Sequence, residues 1–144
     1  MIRSLLRLSD WLRHRARARI WSPDMASGRR GEDLAHRFLQ RRGFRVVARN
    51  YRARSGAGEI DLVAWDGDTL AFVEVKARRT EEHGTPDRAV DAEKRQALRR
   101  TAREYARRAR IDWGRVRFDV VNVVFGDCPA LSHIPDAFPR EQAL

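Results

Sequence analysis

Apolar residues recur at two periods along this chain, and the changes of period mark its elements. Leu34, Ala35, Phe38 and Leu39 share one stripe of a 3.6-residue repeat, which predicts a helix over 31–42 stopped by Gly43. Phe44, Val46 and Ala48 then alternate with Arg45, Val47 and Arg49, as in a strand. A connection over 52–58 carries Ser55-Gly56-Ala57-Gly58. Runs 59–65 and 70–77 are rich in apolar and β-branched residues, so both read as strong strands. Asp66-Gly67-Asp68 between them signals a hairpin turn. Thr85 followed by Pro86 predicts the start of a second helix that runs to Ala109. Val90, Ala97, Leu98, Thr101 and Tyr105 share one of its faces. Residues 117–125 form a last core strand, and past Gly126 the pattern fades into a tail with Pro129, Pro135 and Pro139.

The order helix, strand, strand, strand, helix, strand is that of an α/β domain with a mixed β-sheet flanked by helices. The third strand, the long helix and the fourth strand form a crossover, which makes those two strands parallel. If Gly67 and Asp68 are the two loop residues, paired positions in the hairpin sum to 135. Asp61 then faces Glu74, and Glu59 faces Lys76. Glu59, Asp61, Glu74 and Lys76 project together, while Ile60, Leu62, Val73 and Val75 take the opposite, buried face.

Facing carboxylates repel, and a divalent cation relieves that repulsion. Mg²⁺ is held by one or two carboxylates together with substrate phosphate oxygens. A lysine beside such a pair completes a set suited to phosphodiester hydrolysis. Charge points the same way. The 144 residues carry 30 Lys and Arg against 20 Asp and Glu, a net charge of +10, which favours a phosphate-rich partner. Only Lys76 and Lys94 are lysines, so the other 28 basic residues are Arg. A lysine kept against that bias points to chemistry that Arg, always protonated, does not perform. The single cysteine, Cys128, excludes an intrachain disulfide and CxxC zinc chemistry. No apolar run reaches 18 residues and the first twenty residues lack a secretory signal, so the expected compartment is cytoplasmic.

Residues 1–27 stand apart as an amphipathic, Arg-rich extension, with Ile2, Leu5, Leu6, Leu8 and Leu12 at roughly helical spacing. The expected organisation is this extension, a domain over 28–125 and a tail over 126–144. The Arg clusters Arg41/Arg42, Arg52/Arg54, Arg78/Arg79 and Arg99/Arg100 are candidates to follow a phosphate backbone. The four histidines are scattered and read as surface residues.

Asp61 followed 13 positions later by Glu74-Val75-Lys76 resembles the PD-(D/E)XK nuclease signature. Gly31-Glu32-Asp33-Leu34-Ala35 is similar to the acidic first motif of archaeal Holliday junction resolvases. Taken with Gly58-Glu59-Ile60-Asp61-Leu62, Phe72-Val73-Glu74-Val75-Lys76, Ala89-Val90 with Lys94, and Arg117-Phe118-Asp119-Val120, residues 28–125 resemble the YraN-like bacterial family. The resemblance implies a restriction-endonuclease-like fold, nucleic-acid binding, and nuclease activity with Mg²⁺ or Mn²⁺. It makes Glu32, Asp61 and Glu74 metal-site acids and Lys76 the catalytic lysine. Ile60 stands where the wider signature has Pro, which is a backbone preference.

Three further residues are candidates near that site. Glu59 shares its face, Lys94 is a charge on the apolar helix stripe between Val90 and Leu98, and Asp119, which interrupts an apolar strand, either supports the site or is a structural partner of Arg117. The expected function is metal-dependent endonucleolytic cleavage of DNA, branched or duplex, and junction resolution would favour a homodimer with two sites. Two readings compete with it: a non-catalytic DNA-binding or recruitment module on a nuclease scaffold, and a peripheral membrane adaptor acting through the Arg-rich N-terminus. The charge pattern yields a test. The log of DNA affinity is expected to fall with the log of salt by about 0.9 per phosphate contact. Deleting residues 1–27 flattens that slope if the extension touches DNA, and an unchanged slope removes it from the interface.

Overall fold

The computed structural model describes the backbone of residues 24–79 and 90–141, with side chains from residue 28 onward. The Arg-rich stretch up to residue 23 and the expected Thr85-Pro86 helix start lie outside the described residues. Helix α1 spans Asp24–Arg41, and strand β1 spans Arg45–Arg52. Strands β2 (Glu59–Asp66) and β3 (Thr69–Arg78) follow, then helix α2 (Ala92–Arg108), β4 (Val116–Val124) and β5 (Ala130–Phe138). The five strands form one mixed sheet in the order β1-β2-β3-β4-β5. Among the described residues β3 and β4 are the parallel pair, and the other neighbours are antiparallel.

Each helix covers one face. Ala35, Leu39, Phe44, Leu62, Ala64, Ala71, Val73, Val121 and Val123 form the core under α1. Ile60, Val63, Leu70, Phe72, Leu98, Ala102, Ala106, Phe118 and Val120 form the core under α2. The helix ends are closed by local bonds. After α1, Phe44 N–H bonds Leu39 O and Gly43 N–H bonds Gln40 O, both at 3.0 Å, the paired bonds of a Schellman stop. Helix α2 starts at Ala92, with extended Asp91 as its N-cap accepting from Lys94 N–H at 2.8 Å. That start is later than the Thr85-Pro86 signal predicts.

The hairpin register is the expected one. Pairs run from Asp66↔Thr69 to Leu62↔Val73, each summing to 135, and the ladder stops there, so the expected pairs of Asp61 with Glu74 and of Glu59 with Lys76 are not made. Two further expectations are corrected. Ile60 packs in the α2 core, whereas Leu62, Val73 and Val75 pack on the α1 side. The cause lies in β1, where Asn50 has φ +52. Arg49 reaches α1 through Asp33 at 2.7 Å, while Tyr51, two residues on, packs edge-on against Tyr105 of α2. The strand turns over at Asn50, and Ile60, paired with Tyr51, turns with it. The second correction is β5, which falls in the stretch read as a tail. It sits at the sheet edge, where Pro135 leaves no central ladder bond unmade.

Close approach of the helices depends on small residues. A Cβ on Gly31 would lie 2.9 Å from the Ala77 Cβ, and one on Gly58 would lie 3.0 Å from Thr101 Oγ1. Gly31 therefore lets α1 lie against β3 beside Lys76, and Gly58 lets the start of β2 lie against α2. Gly28, one turn before Gly31 on α1, has nothing within 4 Å of such a Cβ. Gly28→Ala is expected to stabilise by up to about 1 kcal/mol through helix propensity. Gly31→Ala is expected to destabilise by about 1–3 kcal/mol through overpacking. Urea unfolding of the two variants checks the opposite signs.

Candidate active site at the strand fork

The β2–β3 ladder ends at Leu62↔Val73, yet β2 stays paired with β1 as far as Glu59 and β3 stays paired with β4 as far as Arg78. The sheet forks there. Asp61, fully buried, reaches across the opening, and its Oδ2 accepts from Val75 N–H at 2.9 Å. A side chain thus satisfies a main-chain donor that a continued ladder would have used. The bond ties Asp61 to the strand residue that follows Glu74.

Glu74 is 3% exposed, and Lys94 Nζ of α2 lies 2.7 Å from its Oε1. A buried carboxylate is costly without such a partner. Its position near the N-terminus of α2 adds favourable peptide dipoles. The N-cap Asp91 fixes the backbone of Lys94, so the cap and the ion pair hold one turn in place. Lys76 lies two residues past Glu74, on the same side of β3, and is half-buried. Glu32, 7% exposed, follows Gly31 and comes in from the α1 side, with Arg49 Nη2 at 3.9 Å. Glu59 is buried with Arg52 Nε 3.5 Å from its Oε2.

The fork therefore joins Asp61 to the Glu74-Val75-Lys76 strand end and adds Lys94. It does not gather Glu32 with the other two acids: among the described residues no group of three or more His, Cys, Asp or Glu is placed to hold a metal ion. The donor chemistry at the fork still suits a hard divalent cation. Asp61 and Glu74 are buried oxygen donors, and Mg²⁺ takes one or two carboxylates rather than a full protein cage.

Asp119 belongs to a different cluster. Its carboxylate receives Arg117 Nε at 2.8 Å and Nη2 at 2.9 Å, His133 Nε2 at 2.8 Å and Asp136 N–H at 3.0 Å. Arg117 also donates to Asp66 at 2.9 Å. Asp119 is thus the structural partner of Arg117, and His133 is a buried member of the same network rather than a surface residue. Arg99 is likewise no backbone follower: it is buried and donates to Pro139 O at 2.9 Å. Trp65 and Trp113 pack against the α2 core as rim residues.

Sequence reasoning missed Glu104 and Asn122. Glu104 accepts from Tyr51 Oη at 3.2 Å and from the N–H groups of Arg54 at 2.9 Å and Ser55 at 3.3 Å, pinning the connection that leads into β2. Desolvation alone would raise its pKa, but these bonds outweigh it and hold the carboxyl below its ordinary value. Nothing in the spacing of a helical Glu marks such a role. Asn122, a polar residue inside a valine-rich strand, carries the same signal that drew attention to Asp119.

Residues 31–123 match the family described as "Uncharacterised protein family UPF0102". A UPF0102 protein of Solibacter usitatus (strain Ellin6076) is 53% identical over 138 residues, covering 96% of this chain and 100% of the relative. UPF0102 proteins of Rhodococcus opacus (strain B4) and Nocardia farcinica (strain IFM 10152) are 45% and 46% identical over 117 and 115 residues. They cover 80% and 78% of this chain, and 98% and 89% of their own lengths. The 138-residue match takes in most of residues 1–27, whereas the family match begins at Gly31.

The Asp119 network sets a pH dependence. Burial would raise the Asp119 pKa, but the bonds from His133, Arg117 and Asp136 outweigh it and hold the carboxyl below its ordinary 3.8. The stability it contributes is present above pH 3.8 and is lost as pH falls through the lower folded value. Asp119→Ala is expected to cost about 3 kcal/mol, the low end for breaking a buried pair. Asp119→Asn is expected to lose part of the acid dependence. Denaturant unfolding from pH 7 to pH 2.5 checks both.

Proposed function

The chain belongs to the UPF0102 family, and on that footing we propose that it is a divalent-cation-dependent endonuclease of restriction-endonuclease-like fold, hydrolysing phosphodiester bonds in DNA, branched DNA included. The observation that carries the reading is the fork: Asp61 bonded across it to Val75 N–H, between buried Glu74 and Lys76. Exposed Arg52, Arg54 and Arg79 flank this end of the sheet and suit a phosphate backbone.

Asp61 and Glu74 would hold the cation, Mg²⁺ or Mn²⁺. When bound, it supplies charge compensation at the scissile phosphate and lowers the pKa of the attacking water. Lys94 limits repulsion by neutralising one face of Glu74, and Asp61 holds its strand end in place through Val75. The Lys76 ammonium donates to the attacking water and to a phosphoryl oxygen, which keeps the water in line with the leaving oxygen. Water adds to phosphorus as the P–O bond breaks, giving a phosphate monoester and an alcohol.

A second reading rests on the absence, among the described residues, of a group of three or more acids placed to hold a metal ion, with Arg49 beside Glu32. It makes the chain a DNA-binding module that keeps the scaffold without the cleavage. A panel of linear, flapped and four-way DNA substrates with Mg²⁺ and Mn²⁺ separates the two. The endonuclease reading predicts cleavage by the wild type, none by Glu74→Ala, and roughly 100-fold slower cleavage by Lys76→Arg with DNA affinity retained. Near-wild-type cleavage by Lys76→Arg contradicts the role of Lys76. Salt-sensitive binding without cleavage on every substrate favours the module.

A further inference from the structure

Asn122 on β4 is 3% exposed, and neither its amide nitrogen nor its amide oxygen has a hydrogen-bond partner. It shares a face with Phe118 and Val120, both in the α2 core. The register places it beside Lys76 on β3 and opposite Ser132 on β5, two residues beyond the Glu74↔Val120 pair. A buried amide with both ends unmet lowers stability, and an apolar side chain of the same shape would remove that loss. Val120, Val121, Val123 and Val124 around it show how the strand is otherwise filled.

A second buried donor at this end also lacks an acceptor, the Nε of Arg95. Arg95 follows Lys94, which reaches Glu74, and precedes by one turn Arg99, whose guanidinium lies 5.5 Å from the Phe138 ring centre of β5. It therefore stands on the β4–β5 side of the same sheet end. Amide and guanidinium donors next to a lysine call for an oxyanion.

We propose that Asn122 and Arg95 form a subsite for a backbone phosphate of the bound nucleic acid, adjoining the Asp61–Glu74 centre; this rests on the endonuclease reading above. Asn122 Nδ2 and the Arg95 guanidinium donate to its phosphoryl oxygens, and Asn122 Oδ1 accepts from the Lys76 ammonium. Donors that are unmet in the free protein are satisfied on binding, so stability forgone in the fold is recovered as affinity.

The test is anisotropy of fluorescein-labelled duplex and four-way DNA in EDTA, with thermal melting and Mg²⁺-dependent cleavage measured in parallel, for wild type, Asn122→Leu and Arg95→Gln. Asn122→Leu is expected to melt at or above the wild type yet bind DNA about tenfold more weakly, the effect of losing a hydrogen bond to a charged group. Arg95→Gln is expected to weaken binding as well, and it decides the matter should Asn122→Leu fail to fold. If the folded variants bind like a wild type that cleaves, the subsite is wrong and the endonuclease reading stands. If both variants weaken binding but the wild type never cleaves, the subsite stands and the catalytic reading falls. A wild type that neither binds nor cleaves DNA overturns both.

Discussion

One hydrogen bond sets the geometry of the candidate site: the Asp61 carboxylate accepting from Val75 N–H across the gap between β2 and β3. Two antiparallel strands that part would each expose unmet main-chain groups. Here the side chain of one strand closes the gap to the other, so the opening is fixed. A buried carboxylate carries that bond, and negative charge then accumulates at the end of the sheet. The cations and peptide dipoles nearby follow from the need to offset it.

That compensation explains the placement of several residues. Lys94 sits on the first turn of α2 and reaches Glu74, with Asp91 holding the turn. Arg49 and Arg52 stand against Glu32 and Glu59 from β1. Gly31 and Gly58 let α1 and β2 come close enough for these partners to meet the strand ends. The Arg117–Asp119–His133 network works on different ground. It is a closed set of bonds that joins β4 to β5 and to the hairpin turn through Asp66, and it serves the fold.

Much of this was legible in the sequence because its causes are local. Gly67-Asp68 dictated a two-residue turn, and the turn fixed every hairpin pair from Asp66↔Thr69 to Leu62↔Val73. Lys94 stood out as a charge on an apolar stripe, and it does reach Glu74. What was not legible depends on distant partners or on backbone twist. The left-handed Asn50 turned Tyr51 and Ile60 to the α2 side, which alternation alone does not foresee. Pro135 made an edge strand look like a tail. His133 looked like surface until Asp119, 14 residues earlier, became its partner. The fork itself has no sequence signature beyond the acids that line it.

We propose that the fork makes Asp61 and Glu74 a cation-binding pair. Calorimetric titration of Mn²⁺ into the wild type and into Asp61→Asn tests it directly. The Asn side chain can still accept from Val75 N–H, so the fold is kept while one charge is removed. The wild type is expected to bind Mn²⁺ measurably, and Asp61→Asn is expected to lose that binding at unchanged melting temperature. Equal binding by the two proteins would contradict it.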